Sequence, residues 1–281
     1  MKNDGNGTNP YLPDLATVTA VIEETPNIKS LRITLNDEEK MMGFRFEPGQ
    51  VGQLSVFGVG ESTFVINSPP TRPDYLQFSV MKAGEVTAAI HDLAVGDQIG
   101  VRAPLGNWFP YESMKGKNVL FVGGGIGLAP LRTLILFMLD NRADYEKIII
   151  IYGARSYADL CYKDDLNEWG ERPDVELVLT VDANSPGPPI REGMVPNVLT
   201  DIAPKPDNTV AITCGPPIMI KYALQALAKL GFQEDEIITT LEARMKCGIG
   251  LCGRCNIGSQ YICKDGPVFS LARLNELHYE I

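Results

Sequence analysis

Four of the six cysteines stand close together, at a spacing that could hold a metal centre. They follow the pattern C-x4-C-x2-C-x7-C and are Cys247, Cys252, Cys255 and Cys263. Plant-type [2Fe–2S] sites open with the same C-x4-C-x2-C run and take a fourth cysteine further along the chain. Glycines at 248, 250 and 253 would let backbone N–H groups approach the sulfur atoms. A zinc ion with four cysteine ligands is the competing interpretation, although zinc sites more often pair two C-x2-C knuckles.

A glycine-rich turn marks a candidate nucleotide site. Val119–Val122 is typical of a short strand, residues 123–127 of a turn, and Leu128-Ala129-Pro130 of a helix start. A pyrophosphate on that helix N-terminus would meet unpaired N–H groups and the positive end of the helix dipole. The run lacks the ending of the six-residue Rossmann fingerprint. By itself it could equally be a turn that only connects a strand to a helix.

These two motifs need a framework, and the 281 residues are enough for about two domains. Short strand-like runs separated by turn residues predict an antiparallel barrel or sandwich in the first part of the chain. Strands that alternate with helices then predict a parallel sheet covered by helices. The predicted division is a flexible tail over 1–14, a β-barrel over 15–113, a doubly wound α/β domain over 114–241 and a cysteine-bearing segment over 242–281.

Composition and charge exclude several classes of protein. A hydrophobic fraction of 44% and a charged fraction of 21% exclude wholesale disorder. The net charge of −10, without a basic stripe, argues against a nucleic-acid partner. No apolar stretch is long enough to span a membrane, and no signal peptide is visible, so a cytoplasmic location is expected. With His91 predicted on a helix surface and His278 near the C-terminus, a hydrolytic triad has no support.

Several motifs occur in an order that resembles one known superfamily. They are STFVINSPP at 62–70, KAGEVTAAIHDLAVGDQIGVRAPLGNWF at 82–109, the glycine turn with its proline, CGPPIMI at 214–220 and the cysteine segment. In this order the chain resembles the ferredoxin–NADP reductase superfamily over about residues 15–270. The branch that it resembles carries a C-terminal [2Fe–2S] loop and includes dihydroorotate dehydrogenase electron-transfer subunits and the gamma subunits of cytoplasmic hydrogenases.

The resemblance implies that the barrel binds FAD. The residues it assigns to the flavin are Phe64, Val65, Ile66, Gly84, Val86 and Thr87. In the family the first segment usually reads Arg-x-Tyr-Ser/Thr, whereas this chain has Ser62 in place of the arginine. That replacement removes a partner of the pyrophosphate. The Thr87 hydroxyl and nearby backbone N–H groups are expected to donate to the phosphates.

The resemblance also implies a nicotinamide site, at the carboxyl edge of the parallel sheet. The residues it assigns to NAD(H) or NADP(H) are Gly125, Ile126, Gly127, Arg155, Cys214, Gly215 and Pro216. Cys214 is expected near the nicotinamide as the catalytic residue, although a lone cysteine at a strand end is more often a small buried hydrophobe. Arg155 would suit NADP and Asp159 would suit NAD, so both cofactors remain possible.

The function implied is that of an oxidoreductase subunit that passes electrons between a nicotinamide, FAD, a [2Fe–2S] cluster and a partner. The partner would be a redox subunit of hydrogenase-like, heterodisulfide-reductase-like or dehydrogenase type. The alternative is a non-catalytic redox-sensing or assembly subunit that keeps the cluster and binds flavin weakly or not at all, because Ser62 replaces the arginine. A third possibility is a self-contained reductase of a free ferredoxin or of an oxygenase component.

Overall fold

The computed structural model describes residues 9–183 and 187–279. In the first part of the chain the elements are β1 Asp14–Thr25, β2 Ile28–Leu35, α1 Glu38–Gly43, β3 Val51–Val56, β4 Gly60–Val65, β5 Leu76–Met81, α2 Glu85–His91 and β6 Gln98–Leu105. The predicted tail falls partly on residues 1–8, which lie outside the described residues. Asp14, the last residue of that predicted tail, already belongs to β1.

The first sheet is antiparallel throughout, in the order β4-β3-β6-β1-β2-β5. Its two outer strands, β4 and β5, approach each other and close the sheet toward a barrel. Inward-facing side chains such as Leu31, Ile33, Leu54 and Phe78 form the core. The period-2 alternation of apolar residues in β2 produces this inner face. The β-barrel prediction is confirmed.

The second part of the chain alternates strands and helices. Its elements are β7 Asn118–Gly124, α3 Leu128–Asp140, β8 Ile148–Ala154, α4 Lys163–Glu171, β9 Val175–Val181, β10 Arg191–Glu192, α5 Val195–Ile202, β11 Thr209–Cys214, α6 Pro217–Lys229 and β12 Ile237–Thr240. The remaining elements are β13 Asn256–Ile257, β14 Gln260–Tyr261, α7 Ile262–Asp265, β15 Val268–Ser270 and α8 Leu271–Glu276.

The second sheet has the order β10-β9-β8-β7-β11-β12-β15. Its pairs are parallel except that β15 runs antiparallel to β12. Both faces carry a hydrophobic core, because successive residues point to opposite sides: Phe121 and Ile150 pack on one face, Leu120 and Ile149 on the other. The prediction of a doubly wound α/β domain is confirmed. The antiparallel strand at its edge was not predicted.

The two domains meet through buried polar contacts rather than through apolar surface alone. Arg132 of α3 is 6% exposed, donates to the Asn67 carbonyl oxygen at 2.8 Å and pairs with Asp165 at 2.5 Å. The neighbouring Thr133 hydroxyl donates to the Ser68 carbonyl oxygen at 2.8 Å. Asn67 and Ser68 follow β4 closely in the chain. The end of β4 is therefore tied directly to the helix that follows the glycine turn.

A second group of contacts extends this interface. The Tyr162 hydroxyl donates to Ser79 at 2.7 Å, and the Tyr162 backbone N–H donates to the Glu24 carboxylate at 2.8 Å. Ser30 completes the group, because its hydroxyl lies 2.5 Å from Ser79 and donates to Glu24 at 2.6 Å. A buried network in which each polar group has a partner fixes one arrangement of the elements that it joins.

The position of His91 and the lengths of the helices both bear on predictions made from the sequence. His91 is buried, with Nε2 2.8 Å from the Val80 carbonyl oxygen, so its predicted position on a helix surface was wrong. The reason is that α2 ends at His91 and turns that residue toward β5. No helix in the part of the chain that the structure describes is long and apolar enough to cross a bilayer.

Candidate functional site

The two predicted nucleotide motifs meet at the carboxyl edge of the second sheet. A Cβ atom added to Gly127 would lie 2.5 Å from the Cys214 carbonyl oxygen and 2.5 Å from the Gly215 Cα atom. Gly124 and Gly215 are similarly close, since a Cβ on Gly215 would lie 3.2 Å from the Gly124 nitrogen. These glycines therefore let two backbone segments touch. The small size of Gly127 is required by the protein itself, whether or not a nucleotide is bound.

Gly125 has a different environment. Its φ of +54° lies in the left-handed region, and a Cβ atom there would meet nothing within 4 Å. Its carbonyl oxygen accepts a hydrogen bond from the buried Tyr152 hydroxyl at 3.0 Å, which holds the turn against β8. The space above Gly125 is thus open beside a helix N-terminus, where a phosphate would be stabilised. Ile126, between the two glycines, is half-buried.

Cys214 ends β11 with its thiol buried. The Thr240 hydroxyl donates to its sulfur at 2.9 Å. Burial raises the pKa of the Cys214 thiol to about 12, against a smaller lowering by Thr240. The thiol therefore stays protonated at neutral pH and cannot act there as a base or as a thiolate nucleophile. The Cys214 thiol contributes its size and its polarity to the site. Thr240, which donates to its sulfur, is a residue of the site that the sequence did not reveal.

The loop after β8 carries the residues expected at the adenosine ribose. Arg155 is exposed, and the Ser156 hydroxyl donates to the Asp159 carboxylate at 2.7 Å. A negative group is therefore held in place immediately beside Arg155. Pro216 follows Cys214 and Gly215 in the chain and belongs with them to the predicted nicotinamide site. It is exposed and lies just before α6.

The predicted flavin strand is β4, at one end of the first sheet. Within the described residues β4 pairs only with β3, so one row of its backbone groups is left for another partner. Phe64 and Val65 are half-buried on this strand, whereas Ile66 is fully buried and its N–H donates to the Gln50 carbonyl oxygen at 3.0 Å. As successive residues of a strand they point to opposite faces, Phe64 toward the barrel core and Val65 toward the core of the second domain. Ile66 serves the core.

The second predicted flavin segment lies against β4. Val86 packs near Gly60, where an added Cβ would be 3.1 Å from the valine methyl group. The Thr87 hydroxyl donates to the Gly84 carbonyl oxygen at 2.9 Å and accepts from the Gly84 and Ala83 N–H groups at 2.8 Å. Its single proton is thus committed to capping α2. The expected donation from Thr87 to a phosphate stays a prediction, and it would require this hydroxyl to leave the Gly84 carbonyl oxygen.

The four clustered cysteines lie close enough to influence one another. Besides burial, which acts to raise both pKa values, Cys252 lowers the pKa of Cys247, whereas Cys255 and Cys247 both raise the pKa of Cys263. Within residues 9–183 and 187–279, no three His, Cys, Asp or Glu side chains gather as the ligands of a single ion would. Cys252 is the exposed member of the four, and the other three are buried.

Backbone N–H groups point at these sulfur atoms. Leu251 and Cys252 donate to the Cys247 sulfur at 3.2 and 3.3 Å, and Gly250 donates to the Cys263 sulfur at 3.1 Å. Burial raises the pKa of Cys247, but these N–H groups outweigh it and lower the pKa to about 6. Gly250 has a φ of +73°, and its loop conformation aims the donors inward. Burial raises the pKa of Cys263 to about 12 in spite of its N–H donor, so these donors favour a thiolate at Cys247 and not at Cys263.

One buried side chain joins β4 to the cysteine loop. The Gln53 amide nitrogen donates to the Thr63 hydroxyl at 3.2 Å and to the Lys246 carbonyl oxygen at 3.1 Å. Thr63 precedes Phe64, and Lys246 precedes Cys247. The predicted flavin strand and the cysteine loop are therefore separated by the width of a single side chain.

Two further residues anchor the cysteine segment to the barrel. Arg102 donates to the Cys247 carbonyl oxygen at 2.9 Å and pairs with Glu61 of β4 at 3.0 Å. The Asn107 side chain donates to the carbonyl oxygens of Asp265 and Val268 at 2.9 and 2.7 Å and accepts from the Val268 N–H at 2.9 Å. Neither residue was predicted to belong to the site. An arginine within an apolar strand was the available signal for Arg102.

Comparisons with known proteins agree with this geometry. Residues 121–225 match the model of the oxidoreductase NAD-binding domain family. Residues 242–275 match the iron–sulfur cluster binding domain of dihydroorotate dehydrogenase B. The second match contains all four clustered cysteines, and the first contains the glycine turn together with Cys214.

Relatives match along nearly the whole chain. The sulfhydrogenase 1 gamma subunit of Pyrococcus furiosus is 38% identical over 279 residues, covering 96% of this chain and 93% of that protein. A probable NAD⁺-type dihydroorotate dehydrogenase B electron-transfer subunit of Methanocaldococcus jannaschii is 32% identical, covering 92% and 89%. Among solved structures, the NADH-dependent reduced ferredoxin-NADP oxidoreductase superposes with a TM-score of 0.73 at 22% identity, covering 97% and 93%.

Proposed function

From the family to which the chain belongs, we propose that it links NADH to a partner subunit through FAD and a [2Fe–2S] cluster. This family of electron-transfer subunits contains the gamma subunits of sulfhydrogenases and the electron-transfer subunits of dihydroorotate dehydrogenase B. When bound, these groups would supply the transfer of a hydride, the conversion of its two electrons into single electrons, and the passage of those electrons to the partner. The chain's own residues bind and orient them. The coarser assignment, an oxidoreductase subunit, is shared with its relatives.

The observation that carries this proposal is the central position of β4. On one side, Arg132 and Thr133 tie the residues after β4 to the helix of the glycine turn. On the other side, Gln53 joins Thr63 of β4 to the residue before Cys247. A flavin along Phe64 and Val65 would therefore lie between the nucleotide site and the cysteine loop, which is the order that a relay requires.

The cysteine spacing supports two irons rather than one ion. Cys247, Cys252 and Cys255 have the C-x4-C-x2-C opening of plant-type clusters, and Cys263 supplies a fourth thiolate. Among the described residues, no three such side chains gather as the ligands of a single ion would. The N–H donors on the Cys247 sulfur stabilise its thiolate, as hydrogen bonds to ligating sulfur atoms do. We therefore assign all four cysteines as the ligands of a binuclear centre.

We propose NADH as the preferred nicotinamide, on the contact between Ser156 and Asp159. The carboxylate held there at 2.7 Å would accept from a ribose hydroxyl and repel a 2′-phosphate. Replacing Asp159 with Asn removes that charge and leaves the size unchanged. The ratio of kcat/KM for NADH to that for NADPH is then expected to fall at least about tenfold, which corresponds to about 1.4 kcal/mol. An unchanged ratio contradicts this assignment.

The partner is proposed to be the catalytic subunit of a hydrogenase or of a dehydrogenase, in line with the names of the relatives. Nothing among these relatives supports the heterodisulfide-reductase-like partner. Cys214 remains proposed as the catalytic residue near the nicotinamide, with burial raising the pKa of its thiol to about 12.

Anaerobically purified protein tests the whole proposal. About two irons, two sulfides and one FAD per chain are expected, with flavin bands that bleach on addition of NADH. Replacing Cys255 with Ser should leave rapid NADH bleaching intact and abolish reduction of a one-electron protein acceptor. The matched control is Cys161→Ser, a buried cysteine outside the cluster, which should leave both reactions intact.

Three results would contradict the proposal. One zinc per chain with little iron would exclude the cluster. A cluster without flavin would favour the redox-sensing or assembly subunit, which the serine at position 62 keeps in consideration. A folded Cys255→Ser variant that lacks its cluster and still feeds the acceptor at full rate would overturn the order of the relay.

A further inference from the structure

The surface around the cysteine loop has a charge opposite to that of the whole protein. Residues 243–264 contain four basic residues and no acidic residue, although the chain carries a net charge of −10. The four, here called the basic rim, are Arg244, Lys246, Arg254 and Lys264. All four are exposed. Three of them directly adjoin cluster cysteines in the chain. Lys246 precedes Cys247, Arg254 precedes Cys255, and Lys264 follows Cys263.

The charges of the basic rim are not neutralised within the protein. Among the described residues, none of the four side chains forms an ion pair, whereas basic residues elsewhere, such as Lys117 and Arg191, do. Two acidic groups of neighbouring segments are committed to other partners. Asp265 accepts from the Tyr261 N–H at 2.8 Å, and Glu61 pairs with the buried Arg102 at 3.0 Å. An oxidised [2Fe–2S] cluster with four thiolates would carry a charge of about −2, so the four basic residues leave the rim positive even with the cluster bound.

The rim surrounds an apolar tip. Leu251 is 51% exposed, and the adjoining Cys252 is the exposed cysteine of the four. Lys264 lies over the same loop, with its side chain 3.1 Å from where a Cβ on Gly250 would be. A desolvated apolar centre with a charged periphery is the usual anatomy of a protein–protein contact. Here it coincides with the place where electrons would leave the chain.

We propose that the basic rim and Leu251 dock an acidic face of the redox partner, an inference that rests on the proposed function. A compact acidic protein would cover the rim alone. A long polyanion such as nucleic acid would extend beyond it onto a protein of net charge −10, which repels phosphate backbones. Complementary charge of this kind acts mainly on the association rate and on the choice of partner.

The experiment uses two probes of opposite charge, a plant-type ferredoxin, which is acidic, and cytochrome c, which is basic. Binding is measured for both probes and reduction for cytochrome c, because plant-type ferredoxins have potentials near about −400 mV; the two electrons of each NADH reduce two molecules of cytochrome c. For ferredoxin, the association rate of the loaded protein should fall at least about tenfold as salt rises from about 50 to 500 mM, because screening removes the attraction. Cytochrome c should show no such fall.

The variant carries Lys246→Glu, Arg254→Glu and Lys264→Glu together. Its matched control carries Lys205→Glu, Lys221→Glu and Lys229→Glu, which change the net charge equally at exposed sites before β11 and along α6. Ferredoxin association should fall at least about tenfold in the first and stay nearly unchanged in the second. If charge reversal impairs folding, the same three residues replaced by Gln should give a smaller effect in the same direction.

Several results would overturn the proposal. Equal losses in the rim variant and its control would assign the effect to net charge. A shifted cluster potential with unchanged ferredoxin association would mean that the rim serves the cluster instead. Tighter binding of a DNA duplex than of ferredoxin would identify a nucleic-acid site. Binding of ferredoxin without NADH is measured separately, so failure of NADH to reduce the wild-type flavin would contradict the proposed function and leave the docking test intact.

Discussion

Gly125 and Gly127 are two residues apart in one turn, yet they are small for different reasons. Gly127 touches the backbone of Cys214 and Gly215, whereas Gly125 faces open space with a φ of +54°. If a nucleotide occupies that space, a methyl group on Gly125 should interfere with it directly. A methyl group on Gly127 should instead force two backbone segments apart and destabilise the domain.

Gly125→Ala is therefore expected to weaken NADH binding at least about tenfold, with a stability loss of about 1 kcal/mol from the left-handed backbone. Gly116→Ala is the matched control, because Gly116 has a φ of +71° and also has nothing within 4 Å of an added Cβ. Calorimetric titration with NADH and thermal midpoints separate the two effects. Equal NADH affinities in the two variants would place the nucleotide elsewhere.

Cys161 lies outside the proposed site, and its buried thiol should make the protein sensitive to alkali. Burial raises the pKa of Cys161 to about 12, from an ordinary value of 9.0. The stability that depends on the protonated thiol is complete below about pH 9. Since the unfolded thiol ionises first, this stability is lost as pH rises from 9 toward 12, by about 1.4 kcal/mol per pH unit.

Cys161→Ala should therefore flatten the decline in the free energy of unfolding between pH 8 and pH 10. Urea titrations followed by the fluorescence of Trp169, which is fully buried in the same core, measure the two slopes. The comparison concerns the slopes only, because the cavity left by the substitution lowers stability at every pH. Parallel wild-type and variant curves would show that the thiol does not contribute.

At the scale of elements, the contact between α3 and the end of β4 should control the geometry of hydride transfer. Arg132 and Thr133 bind the carbonyl oxygens of Asn67 and Ser68 from the helix of the nucleotide site. Burial alone would lower the pKa of Arg132, but Asp165 more than offsets it, so the guanidinium stays charged. A small displacement of two reacting groups can cost about 100-fold in rate.

Arg132→Lys is expected to slow flavin reduction at saturating NADH at least about tenfold, with little change in the Kd of NADH. Arg142→Lys is the control, because Arg142 bonds to Tyr145 and Asp174 within the α/β domain only. Rapid mixing gives the rate, and hydrogen exchange of the 67–68 amides reports the contact independently of activity. Equal rates in the two variants would make Arg132 a structural residue without a positioning role.

Sequence patterns revealed the elements that have strong local signals. The apolar run Ile148–Ile151 indicated a strand buried on both faces, and the cysteine spacing alone indicated the four candidate cluster ligands. The pattern could not reveal Gln53, Arg102 or Asn107, because their partners lie more than 140 residues away in the chain. The sequence likewise could not separate two roles of Thr87, because a threonine three residues after Gly84 suits both a phosphate and a helix cap.

At the scale of the whole molecule, the cysteine segment is held by both domains at once. Asn107, just after the barrel, makes three side-chain hydrogen bonds to Asp265 and Val268, and β15 pairs with β12 of the second sheet. Release of one anchor should therefore loosen the segment without unfolding either domain. The nucleotide and flavin sites, which lie outside the segment, should remain intact.

Asn107→Ala should cost about 2–4 kcal/mol of local stability and accelerate loss of the cluster absorbance, while NADH still bleaches the flavin. Asn118→Ala is the control. Asn118 also makes three side-chain hydrogen bonds, to Thr209, Asp207 and Lys147, near the amino ends of the parallel strands. Cluster loss at the same rate in both variants would contradict a specific role of Asn107.

The antiparallel strand β15 also has a consequence for biosynthesis. The outer edge of β12 is covered by residues 268–270, which the ribosome adds only after the whole cysteine loop. Until then a nascent chain exposes an unpaired strand edge, which is a template for pairing with other chains. Delivery of iron and closure of the sheet thus fall in the same late interval of synthesis.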